Sequence, residues 1–302
     1  MKILVIGAGA MGSIYGGHLS LHNEVYMVDK NIEVIEKINT DGLTLVEDGE
    51  DVIYRPIALE STEDIGEVDL VILFVKSLYS KIALKENQHV LGKDTYILTL
   101  QNGAGHEDIL EEFVSKNRII LGTTQDNGAV IEPGKVRRGG VGKTNFGMLV
   151  DDSDKMLAKC KTVFDACGFD CKIYDNIQQL IWNKLFTNIS LSVVTGILQV
   201  PIGYVVSDEY AWNMTKSLIY EALQVAKEMG LEFDENEIIE RVREISISSP
   251  DGLTSIYTDL KKGRKTEVDT ISGSVVRAAE KVGVSVPVHE FVVNFVHAME
   301  NK

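Results

Sequence analysis

The chain has 302 residues, 44% of them hydrophobic and 25% charged, a size that favours two cores and a composition ordinary for a globular enzyme. Its net charge of −15 opposes nucleic acid and anionic membrane as partners, so an anionic ligand must be met by local positive groups. No apolar run reaches the ~18 residues of a membrane span, and the chain opens on an apolar strand in place of a cleavable leader, so a cytoplasmic protein is expected. Cys160, Cys167 and Cys171 cluster with no histidine nearby, which predicts reduced packing thiols and no metal site.

Lys2-Ile3-Leu4-Val5-Ile6 runs straight into Gly7-Ala8-Gly9-Ala10-Met11-Gly12, a buried strand turning sharply into a helix. Gly7 permits the tight turn, Gly9 lets the backbone approach a pyrophosphate, and Gly12 lets the helix lie close on the strand. The N–H groups of the helix start, at Ala10 and Met11, then face the phosphates together with the positive end of the dipole. A bare G-x-G-x-x-G is a weak signal. Here it follows a strand, precedes the helical run Ile14-Tyr15-His18-Leu19, and is followed about twenty residues on by a strand ending in Asp29, the ribose-binding acid of this fingerprint. The expected ligand is a dinucleotide.

Further along, 32–38 is amphipathic and 43–57 suggests a hairpin around Asp48-Gly49. Apolar runs at 69–75, 96–100 and 119–122 read as further buried parallel strands, with a helix at 109–114. Residues 123–150 look like extra strands with Gly139-Gly140-Val141-Gly142 as turns, before a helix at 155–167 and a last strand near 171–174. Alternating strands and helices predict a doubly wound, Rossmann-type parallel sheet over 1–174. Ligands of such sheets sit beyond the carboxyl ends of the strands. Gly12, Asp29, Lys76 and Asn102 all fall at such ends.

From Asn176 the texture becomes helical, with helices predicted at 177–195, 210–229, 234–247 and 268–282, the last closed by Gly283 with Pro287 beyond it. An all-helical second domain over 175–302 follows, and the default site is a cleft between the two domains. Tyr210, Trp212 and Leu218 fit a homodimer face or plain core packing equally well. Lys184, Asn188 and Ser192 stand at i, i+4 and i+8, one polar face of an otherwise apolar helix. That face is either solvated or turned to a functional cavity. A carbonyl reduction needs a proton donor for the developing alkoxide. None of His18, His22, His89, His106, His289 and His297 has a convincing sequence setting, and a partly buried lysine with a carboxylate partner can serve instead.

The Gly7–Gly12 loop, Val75-Lys76, Gln101-Asn102-Gly103-Ala104-Gly105, Trp182-Asn183-Lys184…Asn188 and Thr254-Ser255…Asp259…Thr266-Glu267-Val268-Asp269 occur in the same order and at similar spacing in the ketopantoate reductase family. The chain resembles that family over essentially its whole length. The resemblance implies that Lys184 is the general acid and Glu267 its carboxylate partner. It also implies that Lys76 and Asn102 contact cofactor and substrate and that Asn188 and Ser255 line the substrate, with Ser192 expected at a further substrate-facing position. Without it, Glu267 reads as a first-turn helix acid and Ser255 as a cap or loop serine.

Ser192 and Gly252 stand where the family commonly has asparagine, and Asp29-Lys30 where members using NADPH usually place arginine. An aspartate accepts from the ribose hydroxyls and repels a 2′-phosphate, with Lys30 as a partial counterweight, so NADH is favoured over the family's usual NADPH. The expected activity is reduction of a small 2-oxoacid, ketopantoate first, in pantothenate biosynthesis. The alternatives are an NAD-dependent D-2-hydroxyacid dehydrogenase for branched or aromatic 2-oxoacids and a non-catalytic NAD(H) sensor. The retained lysine, glutamate and asparagines argue against the sensor.

Overall fold

Ile3, Leu4 and Val5 are fully buried, as a strand covered on both faces requires. In the computed structural model, which describes residues 1–302, they form β1 (Lys2–Ile6). The other strands are β2 (Glu24–Val28), β3 (Leu43–Glu47), β4 (Glu50–Tyr54), β5 (Ile57–Leu59) and β6 (Leu70–Leu73). They are followed by β7 (Tyr96–Thr99), β8 (Ile119–Thr124), β9 (Asn127–Glu132), β10 (Lys135–Gly140), β11 (Lys143–Gly147) and β12 (Asp170–Ile173). The chain forms two compact units, Met1–Gln101 with His106–Ile177, and Asn102–Gly105 with Gln178–Lys302.

In the first unit the larger sheet runs β12-β11-β8-β7-β6-β1-β2-β5, parallel except where β11 meets β8. The chain leaves β1 toward β2 on one side and returns at β6 on the other. That reversal opens a crevice beyond the carboxyl ends of β1 and β6, where such sheets bind ligands.

The expected hairpin at 43–57 forms, but not within this sheet. It joins a second sheet, β4-β3-β10-β9, whose β3 and β10 pair in parallel. This sheet lies across the Ala10–Leu19 helix so closely that a Cβ on Gly128 would stand 2.6 Å from Cδ1 of Ile14. Gly139 and Gly140, expected in turns, end β10 instead. A Cβ on Gly139 would sit 2.2 Å from Oδ1 of Asn127, so crowding is what requires a small residue there.

Beneath the second sheet lies a buried ionic network. Arg138, with a side chain 5% exposed, donates to Asp126 Oδ1 at 2.7 Å and to Glu47 Oε1 at 3.1 Å. Glu47 also meets His18 Nε2 at 2.7 Å and accepts from the Tyr54 hydroxyl at 2.8 Å. Burial opposes ionisation of Glu47, yet these partners together hold its carboxyl below the usual range. The network fastens the Gly-rich helix, through His18, to β3, β4 and β10.

The second unit is helical. Its segments are Ile177–Thr187, Asn188–Ser192, Val193–Leu198, Tyr204–Ser207, Glu209–Glu228, Glu235–Ser248, Ser255–Lys261, Ser272–Val282 and Pro287–Glu300. Side chains define their starts: Asp208 accepts from Ala211 N and Asp234 from Glu237 N, while Pro287 occupies the first turn of the last helix. The Ser255–Lys261 and Pro287–Glu300 helices lie outside the helical segments read from the sequence. The single helix expected over 177–195 is interrupted, because Asn188–Ser192 is a π-helical turn. Leu218 is fully buried in this unit's own core, whereas Tyr210 is 77% exposed. No helix is long and apolar enough to cross a membrane.

Candidate active site

The Gly-rich turn has the geometry its sequence requires. Gly7 adopts φ +103°, and a Cβ there would press on Val75 N at 2.9 Å. A Cβ on Gly12 would lie 1.8 Å from the Gly7 carbonyl oxygen, so only glycine lets the helix start this close to β1. Gly9 is the reverse case, exposed and with nothing within 4 Å of a Cβ, which leaves the backbone open to a pyrophosphate. No side chain caps the helix start at Ala10.

Asp29, at the end of β2, is held by its neighbours: Oδ2 accepts from Ala8 N at 2.6 Å and Oδ1 from Asn31 N at 2.9 Å. The carboxylate is thereby fixed at the mouth of a cavity of about 720 Å³ lined by Gly7, Asp29, Lys30, Thr62, Glu86 and Asn87 among others. This cavity, the open Gly9 and the anchored acid fit a dinucleotide. Lys30 does not point freely into the space, because its ammonium lies 2.9 Å from Glu86 Oε2. Glu60 lines the same cavity, so three carboxylates and one paired cation are among its lining residues. Sequence reading missed Glu86, since nothing local links the helix Ser80–Glu86 to Lys30.

Lys76 follows β6 and its carbonyl accepts from Tyr79 N at 2.8 Å. The Lys76 segment is tied to the end of β7 by Gln101, whose amide donates to the Val75 carbonyl at 2.5 Å and accepts from Thr99 at 2.8 Å. Asn102, next in the chain, belongs to the second unit. There the Ala104 N–H bonds the Thr270 carbonyl at 2.9 Å, and a Cβ on Gly103 would stand 2.0 Å from that same oxygen.

In the second unit Lys184 sits half-buried on the Ile177–Thr187 helix, among fully or nearly fully buried Ile181, Trp182, Leu185 and Phe186. Burial lowers its pKa, and the nearby Glu267 carboxylate pulls the other way without restoring it. A lysine in that balance stabilises a negative oxygen and releases a proton more readily than an exposed one. Its helix is steadied from outside: Arg241 donates to the Asn183 side chain and, at 2.9 Å, to its carbonyl. Glu267 is not the first-turn helix acid that its sequence context suggests, because the helix begins only at Ser272. It occupies a turn whose Thr270 and Ile271 N–H groups both bond the Glu267 carbonyl.

The π turn corrects the even polar stripe read from the sequence. An i→i+5 turn carries about one extra residue, so the regular i, i+4, i+8 spacing of an α-helix does not run unbroken through Ser192. Asn188 opens the turn half-buried, and Ser192 is 7% exposed with its carbonyl accepting from Thr195. Ser255 is exposed at the first turn of its helix, and the cap there is its neighbour Thr254, which accepts from Tyr257 N. At Gly252 a Cβ would stand 2.9 Å from Ile202 Cδ1 and 3.0 Å from the Ser249 carbonyl oxygen, so a larger residue there needs its neighbours to shift. The three cysteines are buried thiols, with Cys160 pushed up to about 12 by burial.

Two family profiles match the chain: "Ketopantoate reductase PanE/ApbA" over residues 3–151 and its C-terminal counterpart over 176–300. A 2-dehydropantoate 2-reductase of Lactococcus lactis is 31% identical over 99% of this chain and 98% of its own length. One of Streptococcus pyogenes is 29% identical over the same shares. Among solved structures, a D-mandelate dehydrogenase in ternary complex with NADH and anilino(oxo)acetate superimposes with TM-score 0.91 at 32% identity, over 100% of this chain and 98% of that one. The chain belongs to the ketopantoate reductase family, a family of NAD(P)-dependent oxidoreductases acting on CH–OH groups.

Proposed function

We propose that the protein reduces a 2-oxoacid to the 2-hydroxyacid with NADH, Lys184 donating the proton and Glu267 keeping its ammonium aligned. The observation that carries this reading is a half-buried lysine on the Ile177–Thr187 helix with the Glu267 carboxylate near enough to act on its charge. When bound, the dinucleotide supplies a hydride to the substrate C2. Gly7, Gly9 and Gly12, with the N–H groups of Ala10 and Met11, would hold the pyrophosphate, and Asp29 the ribose hydroxyls. Lys76 and Asn102 would attend both cofactor and substrate, while Asn188, Ser192 and Ser255 would bind the acid. NADH is favoured because Asp29, Glu60 and Glu86 line the same cavity as Lys30, whose ammonium is already paired with Glu86.

The first substrate is 2-dehydropantoate, the acid in the names of the curated relatives, which would put a cytoplasmic enzyme in pantothenate biosynthesis. A second reading keeps the chemistry and changes the acid to a branched or aromatic 2-oxoacid. Ser192 and the crowded Gly252 favour it, as does the likeness to D-mandelate dehydrogenase. A steady-state grid decides, with NADH and NADPH each against 2-dehydropantoate, 2-oxoisovalerate and benzoylformate. A kcat/KM advantage of 2-dehydropantoate above about tenfold, some ~1.4 kcal/mol of transition-state binding, supports the first reading. An advantage for either other acid establishes the second, and no turnover with any of them removes both.

A further inference from the structure

Glu267 stands on a short non-helical segment whose neighbours on both sides are gripped by one helix, Pro287–Glu300. Glu300, with a side chain 2% exposed, accepts through Oε1 from both the N–H and the hydroxyl of Thr266, each at 2.7 Å. Its Oε2 lies 3.0 Å from Nδ1 of His297, one turn back on the same helix. On the other side of the ring, Nε2 of His297 lies 3.0 Å from Oδ1 of Asp269. The contacts Thr266–Glu300–His297–Asp269 thus close a loop around Glu267 and Val268. The Thr270 carbonyl next along receives the Ala104 N–H, so the segment also seats the Asn102 turn.

An ionised carboxylate only accepts hydrogen bonds, so an imidazole bonded to one at each nitrogen must carry both protons. Burial opposes that charge, but the bonds to Glu300 and Asp269 win and raise the His297 pKa. Two further cations stand by: Lys265 Nζ lies 3.5 Å from the Glu300 carboxylate Oε2, and Arg277 donates to the backbone carbonyl of Asp269 at 2.8 Å.

We propose that His297 is a positioning residue for the reaction: as an imidazolium strapped between Asp269 and Glu300 it fixes the turn that carries Glu267, and through Glu267 it sets the aim of the Lys184 ammonium. The inference rests on the Lys184–Glu267 reading above. His297 itself touches no reacting atom, so its loss should act on kcat and spare cofactor binding. Arginine at this position can still donate to two carboxylates, whereas leucine cannot.

The test compares His297→Leu and His297→Arg in the full chain, reading kcat, KM for NADH, Tm and the kcat–pH profile. We expect His297→Leu to lower kcat ~10-fold with KM for NADH unchanged, the scale of a modest misplacement of a catalytic group. His297→Arg should recover most of that loss. It should also lack the fall in kcat expected of wild type as pH rises through the His297 titration. Wild-type kcat in His297→Leu, or an arginine variant no better than the leucine one, overturns the inference. If His297→Leu does not fold, the pH profile of His297→Arg against wild type decides alone, an identical profile overturning it. Glu267→Gln separates the two levels: if it is inactive while His297→Leu is unimpaired, only this inference fails. If Glu267→Gln retains full turnover, the parent reading fails with it.

Discussion

Replacing Glu86 with glutamine should move the enzyme toward NADPH. A 2′-phosphate on the ribose that Asp29 would hold enters a cavity lined by Asp29, Glu60, Glu86 and Lys30, the last already 2.9 Å from Glu86. At an assumed separation of ~7 Å, and with an effective dielectric of ~40 between the surface and bulk-water values, two unit charges repel by about 1.2 kcal/mol. A phosphate charge of about −1.5 to −2 raises this to about 2 kcal/mol, and physiological salt with its ~8 Å screening length brings it back to about 1 kcal/mol. Removing the Glu86 charge also frees Lys30 to meet the phosphate, so the kcat/KM ratio of NADPH to NADH should rise about five- to tenfold. The assay is initial-rate kinetics with both cofactors at low and high ionic strength, where the gain should shrink as salt rises. A ratio unchanged at low salt would refute the claim that these carboxylates choose the cofactor.

Three other outcomes follow from the buried charges. Lys184 must be protonated to act and its pKa is depressed by burial, so kcat should decline with rising pH along a limb below the ordinary lysine value of 10.5; a profile flat to that pH contradicts it. Arg138→Met leaves Asp126, whose side chain is 0% exposed, without its cation and should cost about 3–5 kcal/mol by urea unfolding; a loss under about 1 kcal/mol would show that the network is not what anchors the second sheet. His289 is fully buried, donates to the Leu218 carbonyl, and is held down to about 4 from 6.5, chiefly by burial. The unfolded chain therefore takes up the proton first, and about 3 kcal/mol of stability is lost as pH falls from ~6.5 to ~4. His289→Gln should flatten that decline between pH 7 and 5, and an equal slope in both proteins counts against it.

The dinucleotide half was readable because its signals are local. A strand buried on both faces is a continuous apolar run, and the contacts at Gly7 and Gly12 show how little room the turn allows. The second sheet was only half visible. The β3–β4 hairpin is a local pattern, but the parallel pairing of Thr44 with Lys135 is a long-range choice that alternation in either strand does not encode. Lys184 showed in the spacing of one polar helix face, Glu267 was picked out by family likeness alone, and the physics of their setting appears only with the fold. The π turn at Asn188 carries no glycine or proline to betray it; its hydrogen-bond register shows only in three dimensions. Glu86 and His297 escaped for the same reason, since each acts on a partner far away in the chain.

The central claim, that Lys184 delivers the proton, is tested most directly by turnover of Lys184→Met with NADH and the best 2-oxoacid of the grid. We expect kcat to fall by roughly 10²–10⁴, the usual scale for a positioned acid, with NADH binding intact. Tm is read beside it, since the substitution removes a lysine charge that burial disfavours but also leaves the Glu267 carboxylate without that cation. Near-wild-type turnover in a folded Lys184→Met protein would contradict the mechanism outright.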